Sequence, residues 1–397
     1  MKTGRSLLLL ASTLVMVFLL GGGLIVKVGA ADSSYRQAVL FAEVLSQVLD
    51  NYVDPIEAEG LLEGAYDGML GGLDPNGAYL SRAEAEEWKS VAAAGSQPGA
   101  DPGLTVLKSG RALQVVAVLD GSPAAEAGIK VGDQIRAVGE VEVRDLSLRQ
   151  ARHRIEGDPG SAVQIELFHP ADGFRRESVE LVRRPRDFRP YRLDVERGTA
   201  VLRLLDLGRI DLDALGAELD DVRSRPTERL LIDLRNSAGS QPRAAATVAA
   251  LFTSPPPLRL RDRSGRLVET IETPARETAW TGSIAVLVNG ATAEGAEALA
   301  LLLGERADVP IFGEKTFGLG AEPSLFELES GSALLLSSAQ WETADGKSWH
   351  DRGIDPDEVI AGEGDDYAEV AADQLQRVLE RMESGRPVET PAEREAA

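Results

Sequence analysis

Apolar positions follow several distinct rhythms along the chain. An unbroken apolar run from Leu7 to Val26 comes first, preceded by Lys2 and Arg5. Its length is nearer the ~20 residues of a spanning helix than the ~7–15 of a cleavable signal core. Positive charge before the run predicts a cytoplasmic N-terminus and an exported body. Residues 1–30 are thus expected to be a membrane anchor, with 7–26 in an inner membrane and the body in the periplasm or another extracytoplasmic space. Cleavage at Val28-Gly29-Ala30, with secretion of the body, is the alternative. From 31 to 91 the rhythm turns helical, with Val39, Leu40, Ala42, Val44, Leu45, Val48 and Leu49 at three- and four-residue spacing. Pro55 ends that helix, a second runs from about Glu57 to Met69, and a third follows the N-cap Ser81. Leu73 to Leu80 reads as a turn, and Ala92 to Pro102 as a linker.

Residues 103–184 switch to short alternating strands with two helices. Leu113–Val118, Gln134–Val138 and Val163–Leu167 read as strands. Ser122-Pro123 caps a short helix that ends at Gly128, and a second helix near Leu146–Ile155 puts Leu148, Ala151 and Ile155 on one face. From 185 to 360 strands and helices alternate, which predicts a layered α/β core. Residues 361–397 hold one more helix, about Tyr367–Met382, and a Pro- and Glu-rich tail expected to be disordered. The fold class is therefore α/β, in an exported multi-domain chain with a helical N-terminal segment.

Composition narrows the function. The 42 Lys+Arg against 64 Asp+Glu leave a net charge of −22, which argues against a nucleic-acid partner. There is no cysteine, which excludes disulfides, thiolate metal sites and a cysteine nucleophile. No metal-ligand spacing is visible, and no cofactor is expected.

One stretch carries candidate chemistry. Ile284–Val288 reads as a buried strand, Asn289-Gly290 as a turn, and the small residues after Thr292 as a helix. A sharp strand-to-helix turn lifts a side chain to the edge of a sheet, where α/β enzymes place nucleophiles. This turn offers Thr292 and Glu294 and no serine. A relocated Thr292–Lys315 pair is conceivable provided that Lys315 points into the cleft. A Glu294/Glu297 dyad is conceivable too, but interaction with the helix N-terminus accounts for both carboxylates.

The module at 103–184 resembles a PDZ domain. Ser122-Pro123-Ala124-Ala125-Glu126-Ala127-Gly128-Ile129 followed by Gly132-Asp133-Gln134-Ile135 carries the resemblance. The resemblance implies that Gly103, Leu104, Thr105 and Val106 form a carboxylate-binding loop, and that a peptide adds as a strand beside the helix bearing Leu148 and Ala151. Thr105 stands where a second glycine is common.

The whole order of parts resembles the C-terminal processing peptidases, or tail-specific proteases, which use a Ser-Lys pair. Tyr52-Val53-Asp54-Pro55, Leu73-Asp74-Pro75, Asp233-Leu234-Arg235-Asn236-Ser237-Ala238-Gly239, Phe317-Gly318-Leu319-Gly320 and Gly353-Ile354-Asp355-Pro356-Asp357 carry it, in one order. The resemblance implies that the nucleophile position is Glu294, the base position Leu319, and the position of a following glutamine Pro323. It also implies an oxyanion stretch at Gly239 and Ser240. Glutamate and leucine cannot act as a serine and its lysine base. The expectation is a homologue without proteolytic activity that holds protein C-termini, those of envelope proteins, or unfolded peptides in the PDZ-like groove and thereby regulates or scaffolds an active protease. Two other readings stand beside it: an active serine-type endopeptidase with relocated residues, and a structural envelope protein.

Overall fold

The computed structural model describes residues 35–94, 100–185, 189–306 and 308–385. The expected anchor at 7–26, the cleavage motif at 28–30 and the tail after 385 lie outside the described residues. Among those described, no helix is long and apolar enough to cross a membrane.

The chain divides into two units, one up to Ala65 and one from Tyr66 onward. The described part of the first is dominated by helix α1 (35–51), on which Val39, Leu40, Phe41, Val44 and Leu49 are exposed. Helix α2 (Ala58–Gly71) contains the boundary, and strand β1 (Ala78–Leu80) and helix α3 (Arg82–Ala94) follow it in the second unit. A reciprocal cap starts α3: Ser81 N–H donates to Glu84 Oε2 at 3.0 Å, and Glu84 N–H to Ser81 Oγ at 3.4 Å.

A β-rich module follows. Its ends meet where β2 (Ala100–Asp101) pairs with β9 (Arg184–Pro185). Between them lie β3 (Leu104–Ser109), β4 (Ala112–Val118), α4 (Pro123–Glu126), β5 (Gln134–Val138), β6 (Val141–Glu142), α5 (Leu148–Ile155), β7 (Ala162–His169) and β8 (Arg175–Val182). The antiparallel sheet runs β3-β4-β5-β7-β8, with β6 on β5. Ser122 caps α4 by accepting from Ala125 N–H, with Pro123 at the first helical position. Ser147 and Gln150 form a capping box on α5. The apolar face of α5, Leu148, Ala151 and Ile155, closes the module's core against Val115, Ile135 and Ile165.

The third part is layered. Its strands are β10 (Tyr191–Glu196), β11 (Thr199–Leu204), β12 (Arg229–Asp233), β13 (Leu258–Asp262), β14 (Leu267–Ile271), β15 (Ser283–Val288), β16 (Ile311–Gly313), β17 (Ala321–Glu327), β18 (Ala333–Glu342) and β19 (Glu358–Val359). Its helices are α6 (Leu212–Arg223), α7 (Pro242–Ala249), α8 (Gly295–Gly304) and α9 (Tyr367–Glu383). One sheet runs β10-β11-β12-β15-β16-β19, parallel from β11 onward. Its central strands are buried on both faces, so their side chains alternate between two cores. Ile284, Val286 and Val288 point to the core shared with α6, α7 and α8, while Ala285 and Leu287 point to α9. A second sheet runs β1-β18-β13-β14 with β17 on β18, and its Leu258, Leu260 and Trp341 join the core shared with α6, α7 and α8.

This second sheet holds the main departures from the sequence reading. The sequence predicts a turn over 73–80, yet Ala78–Leu80 pairs with Ala333–Leu335 of β18. Three residues are too few for a period-two signal, and the partner strand is far off in sequence. The β13–β14 hairpin likewise follows no pattern identified in the sequence.

Candidate functional site

The loops after β12 and β15 leave the same edge of the parallel sheet, where α/β folds gather their sites. Side-chain amides knit them. Asn236 N–H donates to Asn289 Oδ1 at 3.1 Å, and Asn289 Nδ2 donates to Asn236 Oδ1 at 2.7 Å. Ala293 N–H reaches Ser237 O at 3.0 Å, and Gly295 N–H reaches Ser240 O at 2.8 Å. Gly295 permits that approach: a Cβ there would stand 2.6 Å from Ser240 O and 2.7 Å from Gln241 O. Behind the loop, the buried Arg235–Asp233 pair, at 2.8 Å, fixes the start of the stretch, and Arg235 also donates to Gln374 of α9 at 3.0 Å.

Glu294 sits at the apex. Its φ of 58° and ψ of −120° lie outside the regions that L-residues favour. Strain of this kind persists only where the surroundings over-determine it, and it clusters at functional turns. The carboxylate is held from two sides. Arg152 Nη1 of α5 donates to Oε1 at 2.8 Å and to Oε2 at 3.0 Å, and Gly239 N–H donates to Oε2. Gly239 can aim its N–H there because it adopts a φ of +90°. Burial alone would raise the Glu294 carboxyl, but the charge and hydrogen bonds of Arg152, with Arg149 and Gly239 N–H, hold it below the ordinary value.

Glu297, one helical turn on, is buried and turned the other way. It accepts from Thr316 Oγ1 at 2.5 Å, Gly318 N–H at 2.7 Å, Leu319 N–H at 2.8 Å and Glu294 N–H at 3.0 Å. Burial pushes its pKa up to about 7 in spite of these four donors. One carboxylate oxygen, Oε2, thus joins the backbones of Glu294 and Leu319, bringing the two positions together. The two glutamates do not form an acid–base dyad, because each carboxylate is engaged on its own side.

The other candidates fall as follows. Leu319 is buried, and its side chain belongs to the apolar cluster of the β-rich module, with Ala238 and Ala293. Pro323 lies on β17 at an irregularity in its pairing with β18. Ser240 Oγ accepts from Leu207 N–H at 2.9 Å, away from Glu294. The alternative of a relocated Thr292–Lys315 pair is not met by the geometry. Thr292 Oγ1 is buried, accepts from Asn289 N–H at 3.0 Å and donates to Leu234 O at 2.9 Å, so it holds the turn. Lys315 Nζ is exposed and pairs with Asp355 at 3.1 Å.

The peptide-binding candidates also need correction. Leu148 and Ala151 face the module's own core and are fully buried, because they are the apolar stripe of α5. Gly103 N–H is taken by Asp101 Oδ1 at 2.5 Å, so it is not a free donor for a carboxylate. Gly103 is required for packing instead: a Cβ there would meet Ser122 Cβ at 2.1 Å. Leu104 and Thr105 are half-buried, and Val106 is buried. Val106 faces Val115 across the ladder, and Val115 gives its N–H to Asp133 O and its C=O to Gly132 N–H. Val106 therefore points its own polar groups away from β4, to the edge of β3 where a further strand would pair. There Val106 O accepts from Arg152 Nη2 at 3.1 Å.

Arg152 and Arg149 were missed by the sequence reading. Arg149 is drawn toward Glu294 and Glu322, and its Nε has no hydrogen-bond partner. The only sequence signal was a basic pair, three residues apart, beside the apolar stripe of α5. Among the described residues no cluster of His, Asp or Glu could hold a metal.

Residues 198–360 match the model of peptidase family S41, and residues 114–167 that of the PDZ domain. The chain is 27% identical over 365 residues to the carboxy-terminal processing protease CtpA of Bacillus subtilis, covering 91% of this chain and 76% of the relative. It is 29% identical over 324 residues to the carboxyl-terminal-processing protease of a Picosynechococcus species, covering 79% and 77%. This chain is a homologue of the carboxy-terminal processing proteases. Its fold is that of the photosystem II D1 C-terminal processing protease, with a TM-score of 0.58, 22% identity, and 84% of this chain and 96% of that one covered. The β-rich module is its PDZ domain, and the layered part its S41 core.

Proposed function

We propose that this homologue has lost proteolysis and works as a binding protein, taking the C-terminal ends of exported proteins at its PDZ domain. The observation that carries the reading is the state of the apex. Glu294 stands there as a paired carboxylate, already occupying the N–H of Gly239 and the guanidinium of Arg152. Leu319, the neighbouring position that the family resemblance makes the base, has no lone pair and is buried. A serine-type mechanism needs a hydroxyl and a base within hydrogen-bond reach, and loss of one member removes most of the rate. The engaged hydroxyl of Thr292 and the exposed Lys315 give the relocated-pair reading no support. In this proposal residues 7–26 anchor the chain, its body lies in the extracytoplasmic space, and its bound partner is an envelope protein or an active protease.

The test is direct. The purified full chain is incubated with an unstructured fluorogenic peptide and, separately, with a fluorophosphonate probe. The expected result is neither cleavage nor labelling. Peptides with free C-termini should bind, and their C-terminal amides should not. Cleavage that disappears in Thr292→Ala or Lys315→Ala would overturn the reading, as would equal binding of acid and amide.

A further inference from the structure

The edge of β3 is where a peptide strand would add, and one of its acceptors is already taken. Val106 O, directed away from β4, accepts from Arg152 Nη2 at 3.1 Å. Arg152 is itself fixed by Glu294 of the core, 142 residues away, at 2.8 Å, and both side chains are largely buried, at 18% and 14% exposure. Beside this ion pair, Leu319 contributes to the PDZ domain's apolar cluster, with Ala238 and Ala293. Neither contact is open to a serine and a lysine at positions 294 and 319. Serine is too short to pair with Arg152, and a lysine ammonium in that apolar cluster would be strongly desolvated.

We propose that Glu294 and Leu319 together fasten the PDZ domain onto the S41 core and keep its peptide edge filled by Arg152, so that the docked core competes with any incoming peptide strand. An acidic and an apolar side chain thus form an internal docking pair. A peptide takes Val106 O only when Arg152 lets go, and Arg152 lets go most readily when Glu294 is neutral. The competition part rests on the proposed peptide binding, whereas the docking part does not.

The absence of cysteine allows a clean distance measurement. Spin labels at Glu180→Cys on the PDZ domain and Ser224→Cys on the core are read by pulsed dipolar spectroscopy in the full chain. The parent should give one narrow distance distribution. Glu294→Gln, which keeps the shape and removes the charge, should add a longer component, and Glu294→Gln with Leu319→Ala should make it dominant. Glu294→Gly, which relieves the positive φ, serves as a second variant if the glutamine form folds poorly. The probe for competition is a fluorescein-labelled octapeptide ending in Ala-Val-Val with a free carboxylate. Its affinity should rise at least tenfold in the double variant. A distance distribution unchanged in both the glutamine-containing double variant and Glu294→Gly would overturn the docking pair. Opened distances with no peptide binding in any variant would support the docking pair and defeat the peptide-binding reading instead. Opened distances with unchanged, measurable affinity would overturn the competition.

Discussion

At the scale of single residues, the two glutamates of the apex behave oppositely because their surroundings differ. Glu294 is matched by a guanidinium and stays ionised, while Glu297 is matched only by dipoles and is pushed up to about 7. Its raised pKa makes a pH prediction. With an ordinary value of 4.5 in the unfolded chain, Glu297 contributes stability that is fully present below 4.5 and is lost as pH rises through about 7. A shift of this size corresponds to roughly 3 kcal/mol. Glu297→Gln cannot titrate, although its amide also places a donor against some of the four donors that Glu297 accepts. The difference in urea-unfolding free energy, wild type minus Glu297→Gln, should therefore be larger at pH 5 than at pH 8 by about that amount. A difference that is flat with pH would mean that the carboxyl is already charged across the range.

At the scale of elements, the unit that matters is β15, its turn and α8. It was legible because it combines a continuous apolar run, Ile284–Val288, an Asn-Gly turn and a small-residue helix. The small residues predict a helix from near Thr292, whereas Thr292 is spent on the turn and α8 begins at Gly295, after the strained Glu294. What was not legible depends on tertiary contact: Arg152 meeting Glu294, the short β1 finding β18, and Gly103 losing its N–H to Asp101. None of these leaves a periodic trace. The close approach of the two loops supports a second prediction. Alanine usually stabilises a helix over glycine by about 1 kcal/mol. At Gly295 the sign should reverse, because the new methyl meets backbone carbonyls at 2.6 and 2.7 Å, which cannot swing aside. Gly295→Ala should destabilise by about 1–3 kcal/mol, the usual range for overpacking. Gly290→Ala is the control: its Cβ meets nothing nearer than Lys315 O at 3.8 Å, so its urea midpoint should barely move. Equal midpoints for the two variants would show that the loops give way freely.

At the scale of the whole molecule, the question is whether the S41 frame has kept a working cleft or only its outline. The strained apex, the Gly239 N–H and the paired asparagines are all in place, although Glu294 occupies the N–H. Replacing Glu294 by serine frees Gly239 N–H and Arg152 at once. Replacing Leu319 by lysine puts an amine beside the apex, since both backbones hang on one oxygen of Glu297. It also removes an apolar side chain from the PDZ cluster, while the apolar core residues Ala238 and Ala293 that stay beside it lower a lysine pKa toward that of a useful base. The double variant Glu294→Ser/Leu319→Lys should therefore gain slow endopeptidase activity on an unstructured peptide. Each single variant should stay inert, because nucleophile and base act as a unit. Pro323 has no group to orient the new lysine, so adding Pro323→Gln should raise kcat more than it lowers KM. It also restores a backbone N–H at the irregular pairing of β17 with β18. The measurement is single-turnover cleavage by mass spectrometry, with fluorophosphonate labelling to identify the new serine. A folded triple variant that neither labels nor cleaves would show that the cleft has lost its shape as well as its chemistry. The persistence of the strained turn would then be owed to PDZ docking alone.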